Sequence, residues 1–165
     1  MRRDLPALRL LHRSLAADPA DAASWFALGV ASLRANHPEE ARIQFSRAAA
    51  LLPSSAGAWH GLGWSCLLLQ DTPAALTAFR QALGLDPESA ESEGCVALAL
   101  WLSGRREQAA RHLARANQLD RRHLVGRYLR ALQQGREILP LRSIPLFLLE
   151  RRGLFGKGAP GVPKP

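Results

Sequence analysis

The sequence contains few cysteines, on which redox-active proteins depend, and no long apolar run of the kind that spans a membrane. Only two of its 165 residues are cysteine, Cys66 and Cys95, and their spacing fits neither a metal site nor a redox motif. We expect both thiols to be buried as small apolar side chains, in a reducing compartment. No apolar stretch is long enough to span a membrane, and Arg9, His12 and Arg13 interrupt the N-terminal segment before a signal-peptide core is complete. The sequence therefore predicts a cytoplasmic protein without a transmembrane segment.

Signals of catalysis are also missing. There is no glycine-rich phosphate loop and no nucleophile elbow, and no histidine has a carboxylate at a spacing typical of a catalytic pair. The five histidines are His12, His37, His60, His112 and His123. We expect each to lie at the surface or to have its hydrogen bonds satisfied within the fold. We therefore predict that the protein is not an enzyme and that it binds neither a cofactor nor a metal ion.

Lysine is almost absent, so the net charge of +8 comes nearly entirely from arginine. Residues 1–102 carry eight arginines against ten carboxylates, whereas residues 103–165 carry 14 basic residues against four carboxylates. Seven arginines are predicted to form a basic patch: Arg105, Arg106, Arg111, Arg115, Arg122, Arg127 and Arg130. Such a patch fits an acidic protein, RNA or an anionic membrane surface, and the alternative is a solvated face. Aromatic residues are nearly absent between these arginines, which argues against stacking on single-stranded nucleic acid.

The sequence does contain a pattern that returns every 34 residues. The first copy consists of seven residues: Trp25, Leu28, Gly29, Ala41, Phe45, Ala48 and Pro53. The second copy has the same residue types: Trp59, Leu62, Gly63, Ala75, Phe79, Ala82 and Pro87. A weaker third copy keeps the two alanines of the second half but loses the tryptophan, the phenylalanine and the proline: Glu93, Val96, Ala97, Ala109, Leu113, Ala116 and Arg121. A fixed period of this length indicates stacked supersecondary units.

The spacing inside each copy is that of two helices. Trp25, Leu28 and Gly29 lie on one face of a first helix, and the alanines and the phenylalanine do the same on a second. Glycine inside a helix costs about 1 kcal/mol relative to alanine, so Gly29 and Gly63 predict a close approach of the partner helix. If Trp59 is buried between the helices, its replacement by alanine should cost about 3–5 kcal/mol.

This pattern resembles the tetratricopeptide repeat (TPR) family, which places W, L and G on a first helix, A, F and A on a second helix and P in the closing turn. The resemblance covers about residues 20–121. It implies an all-α fold, a right-handed α-solenoid of antiparallel helix pairs with a concave and a convex face. Four units are predicted: an N-terminal capping helix or half repeat over 1–19, three repeats over 20–121, a C-terminal capping helix over 122–137 and a tail over 138–165. In register, the three repeats are 22–55, 56–89 and 90–123. A shortened N-terminus is the other explanation of the half repeat.

Local signals place eight helices along the chain. Their predicted ranges are 5–17, 21–35, 38–51, 55–70, 73–84, 89–102, 106–118 and 122–135. Pro38 and Pro73 suit the first turn of a helix, where a missing N–H has no cost. Gly104 lies where a left-handed C-terminal cap belongs.

In TPR proteins, first-helix residues line the concave groove that binds ligands. In this register the predicted groove consists of Phe26, Val30, Leu33, His60, Trp64, Leu67, Leu98, Trp101 and Tyr128. These residues are mostly apolar, and we predict that they bind an apolar or amphipathic peptide segment. Trp64 and Trp101 would be the main anchors. The alternative is that neighbouring first helices cover much of this stripe.

The resemblance also bears on which ligands can be bound. The best-known TPR ligand mode grips a C-terminal carboxylate of a chaperone with lysine and asparagine side chains. The matching positions here are Phe26, Val30, Gly61, Glu91 and Cys95, so we predict no binding of acidic chaperone tails. The protein also resembles, in size and repeat number alone, the small TPR chaperones of bacterial secretion systems.

These observations favour a non-catalytic protein-interaction module, either a scaffold, an adaptor or a chaperone. The alternative function is an accessory protein of nucleic acid or anionic membranes that acts through the basic patch.

The segment that follows the last helix is apolar and has no place in the repeat. Residues 138–155 include Ile144, Leu146, Phe147, Leu148, Leu149, Leu154 and Phe155. Burying four such side chains would contribute roughly 6–12 kcal/mol before entropy costs. We predict that this segment folds back over the groove or associates with a second copy of the protein. Residues 153–165 are rich in glycine and proline and are predicted to form a flexible tail.

Overall fold

The computed structural model describes residues 5–136, with side chains from residue 8 onward, and every regular element in that range is an α-helix. The helices are α1 (Leu5–Ala17), α2 (Ala22–Arg34), α3 (Pro38–Leu51), α4 (Ala56–Leu68), α5 (Thr72–Leu85), α6 (Ala90–Leu102), α7 (Arg106–Leu119) and α8 (Leu124–Gln133). Each begins and ends within two residues of its predicted range. The predictions for the tail concern residues outside the described part.

The helices pack as antiparallel pairs that stack side by side. α2 pairs with α3, α4 with α5, and α6 with α7, and each pair also contacts the next one. This arrangement confirms the predicted right-handed α-solenoid. The first helices α2, α4 and α6, together with α8, form the inner layer, and the second helices α3, α5 and α7 form the outer layer.

Short polar side chains begin four of the helices. The side chains of four N-terminal capping residues accept a hydrogen bond from a backbone N–H in the first turn: Asp21, Ser55, Asp71 and Ser89. A cap of this kind contributes about 1 kcal/mol. Pro38 and Pro73 lie in the first turns of α3 and α5, as predicted.

The turns inside the three helix pairs share one left-handed residue. Asn36, Gln70 and Gly104 have φ angles of 60°, 62° and 78°, and they are spaced by the repeat length. The predicted cap at Gly104 is confirmed. The left-handed conformations of Asn36 and Gln70 were not predicted. Glycine adopts this conformation without strain and so marks it in a sequence, whereas asparagine and glutamine are less specific signals.

Glycines of the inner layer make room for phenylalanine rings of the outer layer. A Cβ atom built on Gly29 would lie 2.8 Å from the ring of Phe45, and one on Gly63 would lie 2.4 Å from the ring of Phe79. Gly61, from the following repeat, faces Phe45 as well, at 2.4 Å. The predicted close approach is confirmed, and its partner is an aromatic ring that touches two repeats at once.

The repeated tryptophans hold the turns before their helices and do not fill the core. The indole Nε1 atoms of Trp25 and Trp59 donate hydrogen bonds to the carbonyl oxygens of Pro19 and Pro53, at 2.9 and 2.8 Å. Both indole rings are only half-buried. The expected cost of 3–5 kcal/mol for Trp59→Ala assumed full burial and is therefore too high.

The core is unevenly distributed along the stack. One large cluster contains buried side chains of all five helices from α4 through α8. Two small clusters hold α2 and α3 against α4. All nine residues from 92 to 100 on α6 are buried, but none of residues 8–17 on α1 is. Cys66 and Cys95 are buried free thiols within this core, as expected.

Candidate interaction surface

The nine residues of the predicted groove all lie on the inner layer, but they fall into two groups. Four are half-buried: Phe26, Val30, Trp101 and Tyr128. Five are buried, with exposed fractions of 5% or less: Leu33, His60, Trp64, Leu67 and Leu98. The buried group cannot contact a ligand in this conformation, because its members pack within the chain.

Trp64 packs as a core residue. Its ring meets the ring of Phe79 edge to face, with centroids 5.5 Å apart. The His60 ring lies 6.0 Å from the same phenylalanine, and its Nε2 atom is hydrogen-bonded to Oγ of Ser92 at 2.9 Å. These contacts tie α4 to α5 and α6, so the prediction of Trp64 as an exposed anchor does not describe this conformation.

Two nitrogen atoms at this place are buried without a hydrogen-bond partner. They are Nε1 of Trp64 and Nδ1 of His60, one helical turn apart on α4. Burial lowers the pKa of His60 to about 4, so its imidazole is neutral near pH 7. A buried polar group left without a partner costs about 1–3 kcal/mol. Most such groups in native proteins are paired, which makes this pair a distinctive feature of the middle of the inner layer.

The inner layer and the basic patch meet at Trp101. The guanidinium carbon of Arg106 lies 3.6 Å from the centre of the Trp101 ring. A stacked arginine of this kind contributes about 0.5–1 kcal/mol at an exposed site. A partner segment that contacts Trp101 would therefore meet a positive charge beside an apolar ring. Tyr128 lies half-buried on α8, where burial raises the pKa of its hydroxyl.

The predicted basic patch follows α7, the turn after it and α8. Six of its arginines are exposed: Arg105, Arg106, Arg111, Arg115, Arg122 and Arg127. Arg130 is half-buried and donates hydrogen bonds to Oδ1 of Asn117 (2.6 Å) and to the carbonyl oxygen of Arg121 (3.3 Å). Between residues 8 and 136, none of the seven forms an ion pair with a carboxylate.

Two carboxylates of α6 have roles that the sequence analysis missed. Glu91 accepts hydrogen bonds from the backbone N–H groups of Leu124 (2.8 Å) and Val125 (3.4 Å), and so caps the first turn of α8. Glu93 occupies the tryptophan position of the third repeat, and its Oε2 atom lies 2.6 Å from Nδ1 of His112 on α7. The absence of tryptophan at this position of the third repeat was the sequence signal that its contact differs from those of Trp25 and Trp59.

The outer layer also carries a groove that was not predicted. It lies between α3 and α5 and has a volume of about 640 Å³. Its lining is mostly apolar, with two arginines: Arg42, Ile43, Ser46, Arg47, Trp59, Leu62, Cys66, Ala74, Thr77 and Ala78. Ile43 is 59% exposed there. The repeat pattern does not mark this surface, because Ile43 has no apolar counterpart at Thr77 one repeat later.

From residue 8 to residue 136, no group of three or more histidine, cysteine, aspartate and glutamate side chains could hold a metal ion. No helix of that part of the chain has the length and apolarity needed to cross a membrane.

The stacked helix–turn–helix pairs define a helical-repeat protein. The family model for the tetratricopeptide repeat matches residues 7–56 and 33–90, which together span just over half of the chain. The chain therefore belongs to the tetratricopeptide repeat family, as its sequence pattern indicated. Members of this family are in general non-catalytic protein-interaction modules.

Solved structures of MamA, another TPR protein, are similar to this chain. MamA MSR-1 is 27% identical with a TM-score of 0.62, and the match covers 70% of this chain and 66% of MamA, just under two thirds of its length. MamA AMB-1 is 28% identical with a TM-score of 0.63, covering 69% of this chain and 68% of MamA. A further MamA crystal structure, at 20% identity, has a TM-score of 0.68 over 87% of this chain and 82% of its own and supports the fold alone. No curated protein matches the chain.

Proposed function

We propose that the protein is an interaction scaffold that holds an apolar or amphipathic segment of a partner protein against its inner layer. The observation that carries this proposal is the set of half-buried apolar side chains on three inner helices, α2, α6 and α8, in a fold whose family binds proteins. Phe26 and Val30 on α2, Trp101 on α6 and Tyr128 on α8 are half-buried and would make the first contacts. A scaffold, an adaptor and a chaperone all use such a surface.

The chemistry around Trp101 narrows the kind of segment that fits. Arg106 stacks on its ring, and the basic patch continues along α7 and α8. A partner segment with apolar anchors followed by acidic residues would complement both features. An amphipathic helix would present its anchors three and four residues apart.

The test compares two double variants of the full-length chain in binding to a displayed library of random peptides. Val30→Ser with Trp101→Ala alters the inner layer. Ile43→Ser with Leu85→Ser removes exposed apolar side chains (59% and 44% exposed) from the outer layer. The wild type should select apolar or amphipathic sequences. The inner variant should bind them about tenfold more weakly, a loss of about 1.4 kcal/mol, while the outer variant binds normally.

Equal binding by both variants would contradict the proposal, provided that both keep the helical circular dichroism of the wild type. A loss of binding confined to the outer variant would also contradict it, and would move the binding surface to the outer groove.

The six exposed arginines of the basic patch favour a second candidate function, an accessory role on RNA or an anionic membrane surface. Binding of this kind weakens steeply with salt, because each neutralised phosphate releases counterions. Arg111→Gln with Arg115→Gln should reduce the salt slope of RNA binding by about 1–2. Arg42→Gln with Arg47→Gln, on α3, is the matched control with the same loss of charge. Binding that is absent at low salt in the wild type would eliminate this candidate.

A further inference from the structure

The outer face of α3 carries two cavities that share one arginine. The larger is the groove of about 640 Å³ between α3 and α5, and the smaller, of about 340 Å³, lies where α3 meets the turn before α2. Arg47 lines both cavities. Trp59 lines the larger one and Trp25 the smaller one, and the hydrogen bonds of these indoles to Pro53 and Pro19 hold both rings in place. The two cavities therefore have fixed aromatic walls on either side of a guanidinium.

Exposed apolar side chains border both cavities. Ile43 lines the larger one and is 59% exposed, and Leu51 lines the smaller one and is 41% exposed. Single exposed apolar residues are common on protein surfaces, but a contiguous group of them generally marks a binding surface. We call the group formed by Ile43, Arg47 and Leu51, together with Trp25 and Trp59, the α3 surface.

The α3 surface does not recur in the next repeat. There the exposed isoleucine, the shared arginine and the tryptophan are replaced by Thr77, Gln81 and Glu93. A gap that arose only from the packing of second helices would return with the period of the repeat. The combination of exposed apolar side chains, tryptophan and arginine therefore belongs to α3 and is not required by the fold.

The charge of this face has no counterpart within the described chain. Arg42 and Arg47 are exposed, and neither forms an ion pair with a described carboxylate, although ten carboxylates accompany eight arginines in residues 1–102. Burial and the charge of Asp71 raise the pKa of the Cys66 thiol in the groove, whereas the charge of Arg42 lowers it. The guanidinium of Arg42 therefore lies near the floor of the groove. Asp71 itself caps the first turn of α5.

We propose that the α3 surface is a second docking site, for an extended segment of a partner protein that carries an acidic residue between two apolar ones. In an extended chain alternate side chains share a face, so the pattern is apolar, any residue, acidic, any residue, apolar. Such a segment spans about 13 Å, close to the width of about 10–12 Å of a helix with its side chains. Its apolar side chains would enter the cavities that flank Arg47, and its carboxylate would meet the guanidinium, which binds carboxylates with two parallel hydrogen bonds.

This inference goes beyond the proposed function, because the α3 surface lies on the outer layer and the surface around Trp101 lies on the inner one. Either surface can bind without the other. Random peptides that carry the pattern with a central acidic residue are therefore scored apart from the rest, and the variants below separate the two sites.

The first experiment tests the central position of the pattern. A displayed library fixes apolar residues at the two outer positions, varies the centre, and is selected on the full-length chain. The wild type should enrich aspartate and glutamate at the centre. Arg47→Gln should weaken the binding of these peptides by about threefold to tenfold. Arg47→Glu should change the central preference to lysine and arginine, which a merely structural role of Arg47 would not do.

Two controls accompany this selection. Arg115 is exposed and occupies the repeat position of Arg47 on α7, so Arg115→Gln and Arg115→Glu make the same changes of charge elsewhere. These variants should keep the preference of the wild type, and so should Val30→Ser with Trp101→Ala on the inner layer. A wild type without an acidic preference, or the same preference in Arg47→Glu, would overturn the proposal. Equal effects of the Arg47 and Arg115 variants would overturn it too, because general charge would then be responsible.

The second experiment tests whether each cavity takes one apolar side chain. Ile43→Ser and Leu51→Ser should each weaken binding several-fold, and each should relax the selectivity at a different outer position of the peptide. Leu102→Ser, which alters a 46% exposed side chain at the end of α6, should change neither. All three side chains are exposed, and retained helical circular dichroism would show that the variants fold. Relaxed selectivity at the same outer position in both α3 variants, or at none, would overturn the assignment of one side chain to each cavity.

Discussion

Gly63 on α4 and Gly84 on α5 are both helical glycines, but only Gly63 faces another side chain. A Cβ atom on Gly63 would lie 2.4 Å from the Phe79 ring, whereas one on Gly84 would have no neighbour within 4 Å. Gly63→Ala should therefore destabilise the protein by about 1–3 kcal/mol through overpacking. Gly84→Ala should stabilise it by up to about 1 kcal/mol through helix propensity.

Urea unfolding of the two full-length variants checks this pair. If Gly63→Ala proves as stable as the wild type, the close contact with Phe79 does not set the distance between the layers. If Gly84→Ala is destabilising, the helix at that point is not regular.

His60 predicts a pH dependence of stability. Burial lowers its pKa from 6.5 to about 4 in the folded chain, so the unfolded chain binds more protons between these values. The stabilisation is complete above about pH 6.5 and is lost as the pH falls toward about 4. It amounts to about 3 kcal/mol. His60→Gln cannot titrate but can still form a hydrogen bond with Ser92.

The free energy of unfolding should therefore fall by about 2–3 kcal/mol less in His60→Gln than in the wild type between about pH 7.5 and about pH 4.5. Burial also lowers the pKa of His123, but that contribution is common to both proteins and cancels in the comparison. The same pH dependence in both chains would show that His60 is accessible to solvent.

At the level of helices, the boundaries were predictable wherever the determinant is local. Pro38, Pro73 and Gly104 mark helix ends through their own backbone preferences, and the observed ends agree. The start of α8 was predicted two residues too early. Its first turn has two caps: the His123 ring accepts the N–H of Gly126, and Glu91 accepts the N–H of Leu124. Histidine is not a usual capping residue, and Glu91 lies 33 residues before Leu124, so neither cap leaves a recognisable local pattern.

The cap on α8 can be tested by removing its acceptor. Glu91→Ala takes away the carboxylate that accepts the N–H groups of Leu124 and Val125, and should destabilise this helix by about 1–2 kcal/mol. Hydrogen exchange at these two amides should become faster, while exchange in α4 stays unchanged. Glu88→Ala is the control, because Glu88 lies exposed in the turn before α6. Equal effects of both variants on α8 would show that general charge, and not the cap, is responsible.

Across the stack, the fold was more predictable than the binding surface. The fold follows from a period that the sequence displays directly, in residues such as Phe45 and Phe79. The groove was assigned from the register, which determines the layer on which a residue lies but not whether another segment covers it. Trp64 and Val30 have the same register position, yet Trp64 is buried and Val30 is half-buried.

The uneven core predicts that the stack opens from its N-terminal end. The side chains of α2 and α3 are held by small clusters around Phe45 and Ala48, whereas α6 is buried from residue 92 to residue 100. In a linear stack each repeat is stabilised mainly by its neighbours, so weak ends can open alone.

Native-state hydrogen exchange should give the lowest opening free energies in α1 and α2 and the highest in α6. Phe45→Leu should lower them by about 1–2 kcal/mol in α2 and α3 and in α4, which Phe45 contacts at Gly61, but not in α6 to α8. Leu100→Ala, in the main cluster, should lower them in every helix, because it weakens the unit on which the others depend. A single opening free energy shared by all helices would mean that the stack unfolds as one cooperative unit and that its small clusters do not limit its stability.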